Sequence, residues 1–457
     1  MKRNLLILFI SLFYINLSAQ CWQSVSAGGS HTLGIRTGGT LWSWGRNNSG
    51  QLGTAGLPPT WSTVPLQVGT ASNWQTVSAG NAHNVAIKTD GTLWTWGRNQ
   101  ASQLGDGSTT NANIPTQVGV ATDWRFVSAG DEYVFAIKLD GTLWAWGDNT
   151  YGQLGDNTII NKTTPTQIGI DTNWLLVSAG TNHTLATKTD GTLWAWGRNN
   201  TGQLGDNTTV NKIIPTQIGT NTNWQNVMAS ILHSVATKSD GSLWTWGDNT
   251  NGQLGDGTVI GKIAPINIPS ITNCNWIAKG HQHGIAKKMD GTLWSWGGNA
   301  SGQLGDASNT QKNNPVGVFG LATDWQTVNS KVSHTVALKT DGSLYAWGAN
   351  LYGQLGDGST SPKNVPTMIS CPFLSIDENV FTEKLTVYPN PTNSSLNIRG
   401  NNNLVFNKII ITDLYGKIVF EKKDNVTQIN VENLASGFYI LQAFSEEGVY
   451  QNKFVKN

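Results

Sequence analysis

The stretch Asp190-Gly191-Thr192-Leu193-Trp194-Ala195-Trp196-Gly197-Arg198-Asn199 decides how this chain is read. Its centre, Leu-Trp-x-Trp-Gly, begins at Leu41, Leu93, Leu143, Leu193, Leu243 and Leu293, and a seventh copy at Leu344 carries Tyr345 as its first aromatic. Successive starts lie 52, 50, 50, 50, 50 and 51 residues apart. A fixed period of this length marks a repeat array. Spacing assigns a further upstream tryptophan to every copy: Trp22, Trp74, Trp124, Trp174, Trp224, Trp276 and Trp325. Of the 21 tryptophans only Trp61 is then left unplaced.

One copy, residues 74–119, shows the local structure. Trp74 to Ala79 and His83 to Lys88 alternate as strands do, and Asp90-Gly91 after them is a hairpin signal with glycine at positive φ. Leu93 to Gly97 reads as a third strand and Pro115 to Val118 as a fourth, suited to a sheet edge. Four short antiparallel strands repeated seven times predict an all-β fold, a seven-bladed β-propeller over residues 20–371. Trp94 and Trp96 share one face of their strand. The residue between them is small in each copy (Ser43, Thr95, Ala145, Ala195, Thr245, Ser295, Ala346). Each blade's indoles are therefore expected to pack on the small-residue face of its neighbour.

Composition agrees with this reading. The 457 residues include 52 glycines, only 12% are charged and the net charge is +1. Many aromatics with little charge exclude a disordered chain. No basic run lies beyond Lys2-Arg3, so no nucleic-acid partner is expected. Lys2-Arg3, the apolar run Leu5 to Leu17 and Ser18-Ala19 read as a signal peptide over residues 1–19. That run is shorter than the ~20 residues that span a bilayer, so no membrane span is expected. Gln20 before Cys21 argues against lipidation. The expected location is the outer cell surface or beyond, where thiols meet oxidising conditions.

Ala179-Gly180-Thr181-Asn182-His183, Asp190 to Asn199 and Gly202-Gln203-Leu204-Gly205-Asp206 together resemble the regulator of chromosome condensation repeat family. The resemblance covers about residues 22–371 and implies seven blades. It also implies binding to proteins or chromatin, with guanine-nucleotide exchange in some members and β-lactamase inhibition among secreted bacterial relatives. An exported chain meets no cytosolic GTPase, so exchange is not expected. Aligning the copies sets Cys371 where Val120 stands and Cys21 where Asp123 stands, three residues apart across a blade junction. A Cys21–Cys371 disulfide closing the ring is expected, within the usual 4.4–6.8 Å Cα reach, with Cys274 free. Unpaired thiols are the alternative.

After Cys371 the tryptophans stop. Residues 372–382 read as a linker and 383–457 as a small β-sandwich. Val387-Tyr388-Pro389-Asn390-Pro391, Ile411-Thr412-Asp413-Leu414-Tyr415-Gly416, Leu434-Ala435-Ser436-Gly437-Phe438-Tyr439 and the terminal Lys453-Phe454-Val455-Lys456 resemble the C-terminal sorting domain of type IX secretion cargo. That resemblance implies use of the type IX machinery, then removal of the domain and release or attachment to surface glycolipid. A generic sandwich that stays in place is the bland alternative.

Catalytic chemistry is sought first at histidine. His31, His83, His183, His233, His283 and His334 recur at one repeat position, which holds Tyr133 in the third copy, so they are read as structural, bonding to nearby backbone. Asp106, Asp156, Asp206, Asp256, Asp306 and Asp357 recur too and are read as caps of their own turns. No metal, no cofactor and no catalytic residue is expected, and a monomer is. Positions that break the repeat are the better candidates for function. They are Arg46, Arg98, Asp148, Arg198 and Asp248 after the Trp-Gly pair, and Asp131-Glu132 before the histidine position. The expectation is a binding or scaffold protein that recognises a protein or glycan through one propeller face. The competing expectation is a polysaccharide-active lyase or hydrolase, which would need unlike charged residues clustered at strand ends nearest the axis.

Overall fold

The computed structural model describes residues 21–371 except 56, 57 and 59, and residues 385–457 except 401–404, 414–417, 424–425 and 446–447. The expected signal peptide (1–19), the linker (372–382) and the first residues of the C-terminal segment lie outside the described residues. Every regular element among the described residues is a strand. Blade 1 is β1 (Trp22–Ala27), β2 (His31–Arg36), β3 (Leu41–Arg46) and β4 (Trp61–Gln67). Six further sheets repeat the plan. Blade 4 is β13 (Trp174–Ala179), β14 (His183–Lys188), β15 (Leu193–Gly197) and β16 (Lys212–Gln217), and blade 7 is β25 (Trp325–Lys331), β26 (His334–Lys339), β27 (Leu344–Gly348) and β28 (Lys363–Ile369). Each sheet is ordered as its strands occur in the chain, so the seven sheets form a propeller in which no strand is exchanged at the closure.

The Asp-Gly turns form as their residues dictate. Gly91 has φ +76° while Asp90 is not in the positive region. Lys88 N donates to Thr92 O at 3.1 Å and Gly91 N to Lys88 O at 2.9 Å, a three-residue loop ending in a left-handed glycine. The Asp90 carboxylate accepts both Thr92 N (3.0 Å) and Thr92 Oγ1 (2.6 Å), and that hydroxyl accepts Trp94 Nε1 at 2.8 Å. The turn thereby orients the first tryptophan of the pair. Pro115 falls inside the outermost strand (Ala112–Gln117), at the edge where a missing N–H is tolerated.

Blade faces interlock as large against small. Trp196 of blade 4 packs in one cluster with Leu143, Ala145 and Leu154 of blade 3, and Trp146 of blade 3 packs on Leu93 and Val85 of blade 2. Trp96, Trp146, Trp196, Trp246, Trp296, Trp347 and Trp44 are all fully buried. Each such indole removed from water contributes on the order of 2–3 kcal/mol. Gly105 (φ +69°) sits against the Trp146 indole, where a Cβ would crowd the ring, and Trp146 Nε1 donates to Gln103 O at 3.0 Å. A basic side chain caps the aromatic cluster in most blades: Lys188 Nζ stands 4.7 Å over Trp174 and 4.0 Å over Trp194.

The sixth blade departs from the assignment made by spacing. Trp276 does not occupy the upstream tryptophan slot. In that slot the strand β21 (Cys274–Lys279) pairs Cys274 with Lys288, as Trp174 pairs with Lys188 in blade 4. Cys274 is fully buried among Val235, Leu243 and Trp296, whereas Trp276 lies two residues on and is 38% exposed. Counting residues finds an aromatic; the pairing register decides which pocket it fills.

The loop after each Trp-Gly pair is held by its asparagine. Asn199 Nδ2 donates to Asp206 Oδ1 (2.9 Å) and Thr208 O (3.0 Å), while Asn199 Oδ1 accepts Leu204 N (2.9 Å). Asp206 also accepts Thr208 N at 3.0 Å, the turn-capping role expected of this aspartate. Asn199→Ala strands the buried Leu204 N–H and the half-buried Asp206 carboxylate and is expected to cost about 2–3 kcal/mol, read as a lowered urea midpoint. An unchanged midpoint would show the network to be dispensable.

The unit over Cys371–Asn457 has two sheets. β29 (Leu385–Tyr388), β30 (Ser395–Gly400) and β33 (Gln428–Asn430) form one; β31 (Lys408–Thr412), β32 (Ile418–Lys423), β34 (Gly437–Ser445) and β35 (Gly448–Lys456) form the other. Leu385, Leu396 and Ile398 from the first meet Ile409, Leu441 and Phe454 from the second in one core, as a β-sandwich requires.

Candidate functional site: the hairpin face and the axial channel

The first strand of each blade lines the axis. It ends at a tight hairpin, and the third strand ends beside the same hairpin, because His183 pairs with Gly197. One end of the ring therefore carries both sets of pattern-breaking residues. Glycine recurs in these hairpins because a Cβ on Gly80 would collide with the His83 ring.

The recurrent histidines knit one blade to the next. His31 Nε2 meets Asn84 Oδ1 at 2.7 Å, His183 Nε2 meets Ser234 Oγ at 3.0 Å, His283 Nε2 meets Ser330 Oγ at 2.8 Å and His334 Nε2 meets Thr32 Oγ1 at 3.1 Å. These partners are side chains on the following blade, not the backbone expected from sequence. The ring nitrogens of His83 and His233 are buried with no hydrogen-bond partner among the described residues. Tyr133 takes the position in blade 3 and donates to His183 O at 2.7 Å. Burial pushes His31 down to about 4 and His83, His183, His283 and His334 to about 3, so the ring is neutral.

Five of the seven binding candidates occupy equivalent points on blades 1 to 5. Arg46 stacks 4.8 Å over Tyr352, and Arg198 lies 5.1 Å over Tyr151 with its Nε on Asn200 Oδ1 at 2.9 Å. Asp148 and Asp248 each accept a glutamine Nε2 at 2.6 Å, from Gln153 and Gln253. Arg98 Nη1 pairs with Glu132 Oε1 at 2.6 Å, joining blades 2 and 3. All six of these side chains are half-buried.

Asp131, the seventh, turns away from this rim toward the axis. Its Oδ2 accepts Thr181 Oγ1 of blade 4 at 2.8 Å, and its Oδ1 lies 3.6 Å from Lys331 Nζ of blade 7. Burial pushes this carboxyl up, but Lys331, His281 and Lys279 together with the Thr181 hydrogen bond outweigh it and hold it ionised below the ordinary range. Lys331 Nζ crosses the channel to Gly130 O (2.8 Å), Ala129 O (3.2 Å) and Ala79 O (3.4 Å). His281 Nε2 is 3.8 Å from Asp131 Oδ2, and burial, partly offset by Asp131, keeps the ring neutral with a pKa of about 4.

Sequence reasoning passed over Lys279 and Trp276, although the signal was present. Five copies end their first strand in Ala-Gly or Ala-Ser (Ala27, Ala79, Ala129, Ala179, Ala229), and Lys279 replaces that alanine in the sixth. Lys331 similarly stands where most copies have the glycine. Among the described residues no three His, Cys, Asp or Glu side chains group to hold a metal ion, and no helix is long and apolar enough to cross a membrane.

A family model described as RCC1-like domain matches residues 13–333, and two described as Regulator of chromosome condensation (RCC1) repeat match 341–375 and 325–354. The chain belongs to the RCC1-like domain family. The RCC1-like region is followed by a match over residues 386–457 to the Secretion system C-terminal sorting domain, the mark of export through the type IX machinery to the cell surface or beyond. Among curated proteins the chain is 40% identical over 84 residues to the human "Probable E3 ubiquitin-protein ligase HERC6", covering 18% of this chain and 8% of that one. It is 40% identical over 84 residues to the zebrafish "Protein RCC2 homolog", covering 18% and 17%. The matches thus span less than a fifth of either relative. In fold, this RCC1-like propeller is similar to human WBSCR16 (TM-score 0.66, 23% identity, 72% of this chain and 94% of that one). It is similar also to yeast RCC1 (Prp20) in its complex with Kap60 (TM-score 0.66, 19% identity, 85% and 93%).

Proposed function

We propose that this RCC1-like protein is an exported binding or scaffold protein, and that its propeller holds a protein or glycan partner on the hairpin face. One observation carries the reading. The repeated residues are consumed in joining blades, while the blade-specific charges Arg46, Arg98, Glu132, Asp148, Arg198 and Asp248 gather at one end of the ring. Rim charges of this kind set partner choice and on-rate more than affinity. The axial group of Asp131, Lys279, His281 and Lys331 is the kind of cluster the enzymatic reading asks for. Weighing against that reading, both Asp131 oxygens are engaged, Oδ2 by the Thr181 hydroxyl and Oδ1 by the Lys331 ammonium, whereas glycoside hydrolysis uses a pair of carboxyl groups free to act on the sugar.

A defined panel of polysaccharides and purified surface proteins tests the proposal. A partner found with the full chain is expected to lose at least about tenfold in affinity when Arg46, Arg98 and Arg198 are all changed to serine, and to weaken with salt. Unchanged affinity in the triple variant would remove the hairpin face from consideration. Fold stability should move little, since a half-buried surface ion pair such as Arg98–Glu132 contributes about 0–1 kcal/mol.

A further inference from the structure

The axial channel contains a cavity of about 320 Å³ lined by the first strands of the blades, within the ~300–1,000 Å³ usual for small-molecule sites. Its wall is chiefly apolar: Val77, Val127, Val177 and Val227 line it, with Phe126 and Met228. Lys279 and Lys331 line it too. The charges there do not balance. Lys331 has Asp131 and three carbonyls, whereas Lys279 forms no hydrogen bond or ion pair among the described residues. With His281 neutral, two ammonium groups face one carboxylate, and the excess charge belongs to Lys279.

Three departures from the repeat fall on the single strand β21. Cys274 fills the buried slot that holds tryptophan in the other blades, Trp276 stands on the cavity wall instead, and Lys279 replaces alanine. The belt of inter-blade hydrogen bonds is interrupted at the same place. Ser26, Ser78, Ser128 and Ser178 each accept the backbone N–H of the next blade's alanine at 3.0 Å, and Asn329 accepts Ala27 N at 2.8 Å. Met228 and Ala278 hold that position in blades 5 and 6 and carry no oxygen. Repetition explains the scaffold; it does not explain a cation and an indole placed together where the scaffold's own bonds are missing.

We propose that the axial cavity binds an organic carboxylate with an apolar body, its carboxylate on the Lys279 ammonium and its body against Trp276 and the valine wall. Lys279 is half-buried on the cavity wall, and a cation partly withdrawn from water beside another ammonium is costly; the ligand's carboxylate supplies the second counter-charge that Asp131 alone does not. Burial and the neighbouring Lys331, partly offset by Asp131, push the Lys279 ammonium down to about 7, so at pH 6 it carries its proton.

Titration calorimetry of the full chain at pH 6 tests this with octanoate as probe and 1-octanol as its neutral counterpart. Octanoate is expected to bind, and to bind more tightly than octanol. Lys279→Ala installs the residue that five other blades carry, so the variant is expected to melt no lower than wild type while losing at least tenfold in octanoate affinity. Lys279→Arg keeps the charge and should stay within a few-fold of wild type. Absence of octanoate binding, octanol binding equally well, or undiminished octanoate binding to folded Lys279→Ala would each overturn the proposal.

Discussion

Acidification from pH 7 to about 4.5 is expected to unfold the propeller, although its surface carries little net charge. The cause is the histidine ring. Each ring histidine is neutral in the fold, with burial holding five of the six at about 3–4 and His233 well below the ordinary 6.5. In the unfolded chain the same residues bind protons near pH 6.5. The unfolded state therefore binds more protons, and stability rises with pH across this window. It is fully present above about pH 6.5 and is lost as pH falls toward the folded values. Each group contributes about 1.4 kcal/mol per pH unit once its unfolded form is protonated, so six approach roughly 8 kcal/mol per unit. Aspartates such as Asp90, held low by hydrogen bonds from Thr92, act in the same direction further down the scale. Urea titrations at pH 7.5, 6.0, 5.0 and 4.5 should show the midpoint collapsing between the second and last. Replacing His83 and His233, the two rings without partners among the described residues, by glutamine should flatten that slope by about two protons. A midpoint unchanged from pH 7.5 to 5 would refute the account.

Removing the disulfide is the second large expected effect. Cys21, directly before β1, is bonded to Cys371, two residues beyond the end of β28. On the chain-entropy view a loop of 100 residues is worth about 4.7 kcal/mol, and this one encloses the entire ring. Otherwise the closing junction is held by contacts of the kind that join the other blades, among them Trp22 N on Gly342 O at 3.3 Å, Ala27 N on Asn329 Oδ1, and Thr32 Oγ1 on Gln354 O at 2.8 Å. Cys21→Ser with Cys371→Ser is expected to lower the melting temperature by about 10 °C, and a reductant should do the same to wild type. Cys274 does not compete for pairing, because burial excludes it and pushes its thiol up to about 11. A double variant melting together with the oxidised wild type would show that blade packing alone closes the ring.

The seven blades, the turn-capping aspartates of six of them and the closing bond were legible in the string because each depends on a spacing that recurs from copy to copy. Trp276 was misread for the same reason: the interval to it is close to the period, and only strand pairing reveals that Cys274 has taken the slot. The axial cluster was legible in part. Asp131 stood out as a break in the pattern, but nothing in the string shows that its carboxylate turns toward the axis. Its partner Lys331 lies 200 residues away in sequence, and the two meet only because a closed ring brings blade 7 across the axis to blade 3. Lys279 was overlooked because a single lysine at a strand end is unremarkable until the strand is known to face a cavity. The histidines were recognised as structural, but their bonds reach the next blade, a relation that no single repeat contains.

The absence of strand exchange at the closure, together with the disulfide, makes the oxidised ring topologically a circle. A protease that cuts one exposed connection between blades would release nothing, since both sides of the nick stay joined the other way round. Two cuts are needed before a fragment departs. Under reducing conditions the same first cut severs the chain into separable pieces. Resistance to fragmentation after a single nick is thus tied to the oxidation state of the medium, which suits a protein exported beyond the cell.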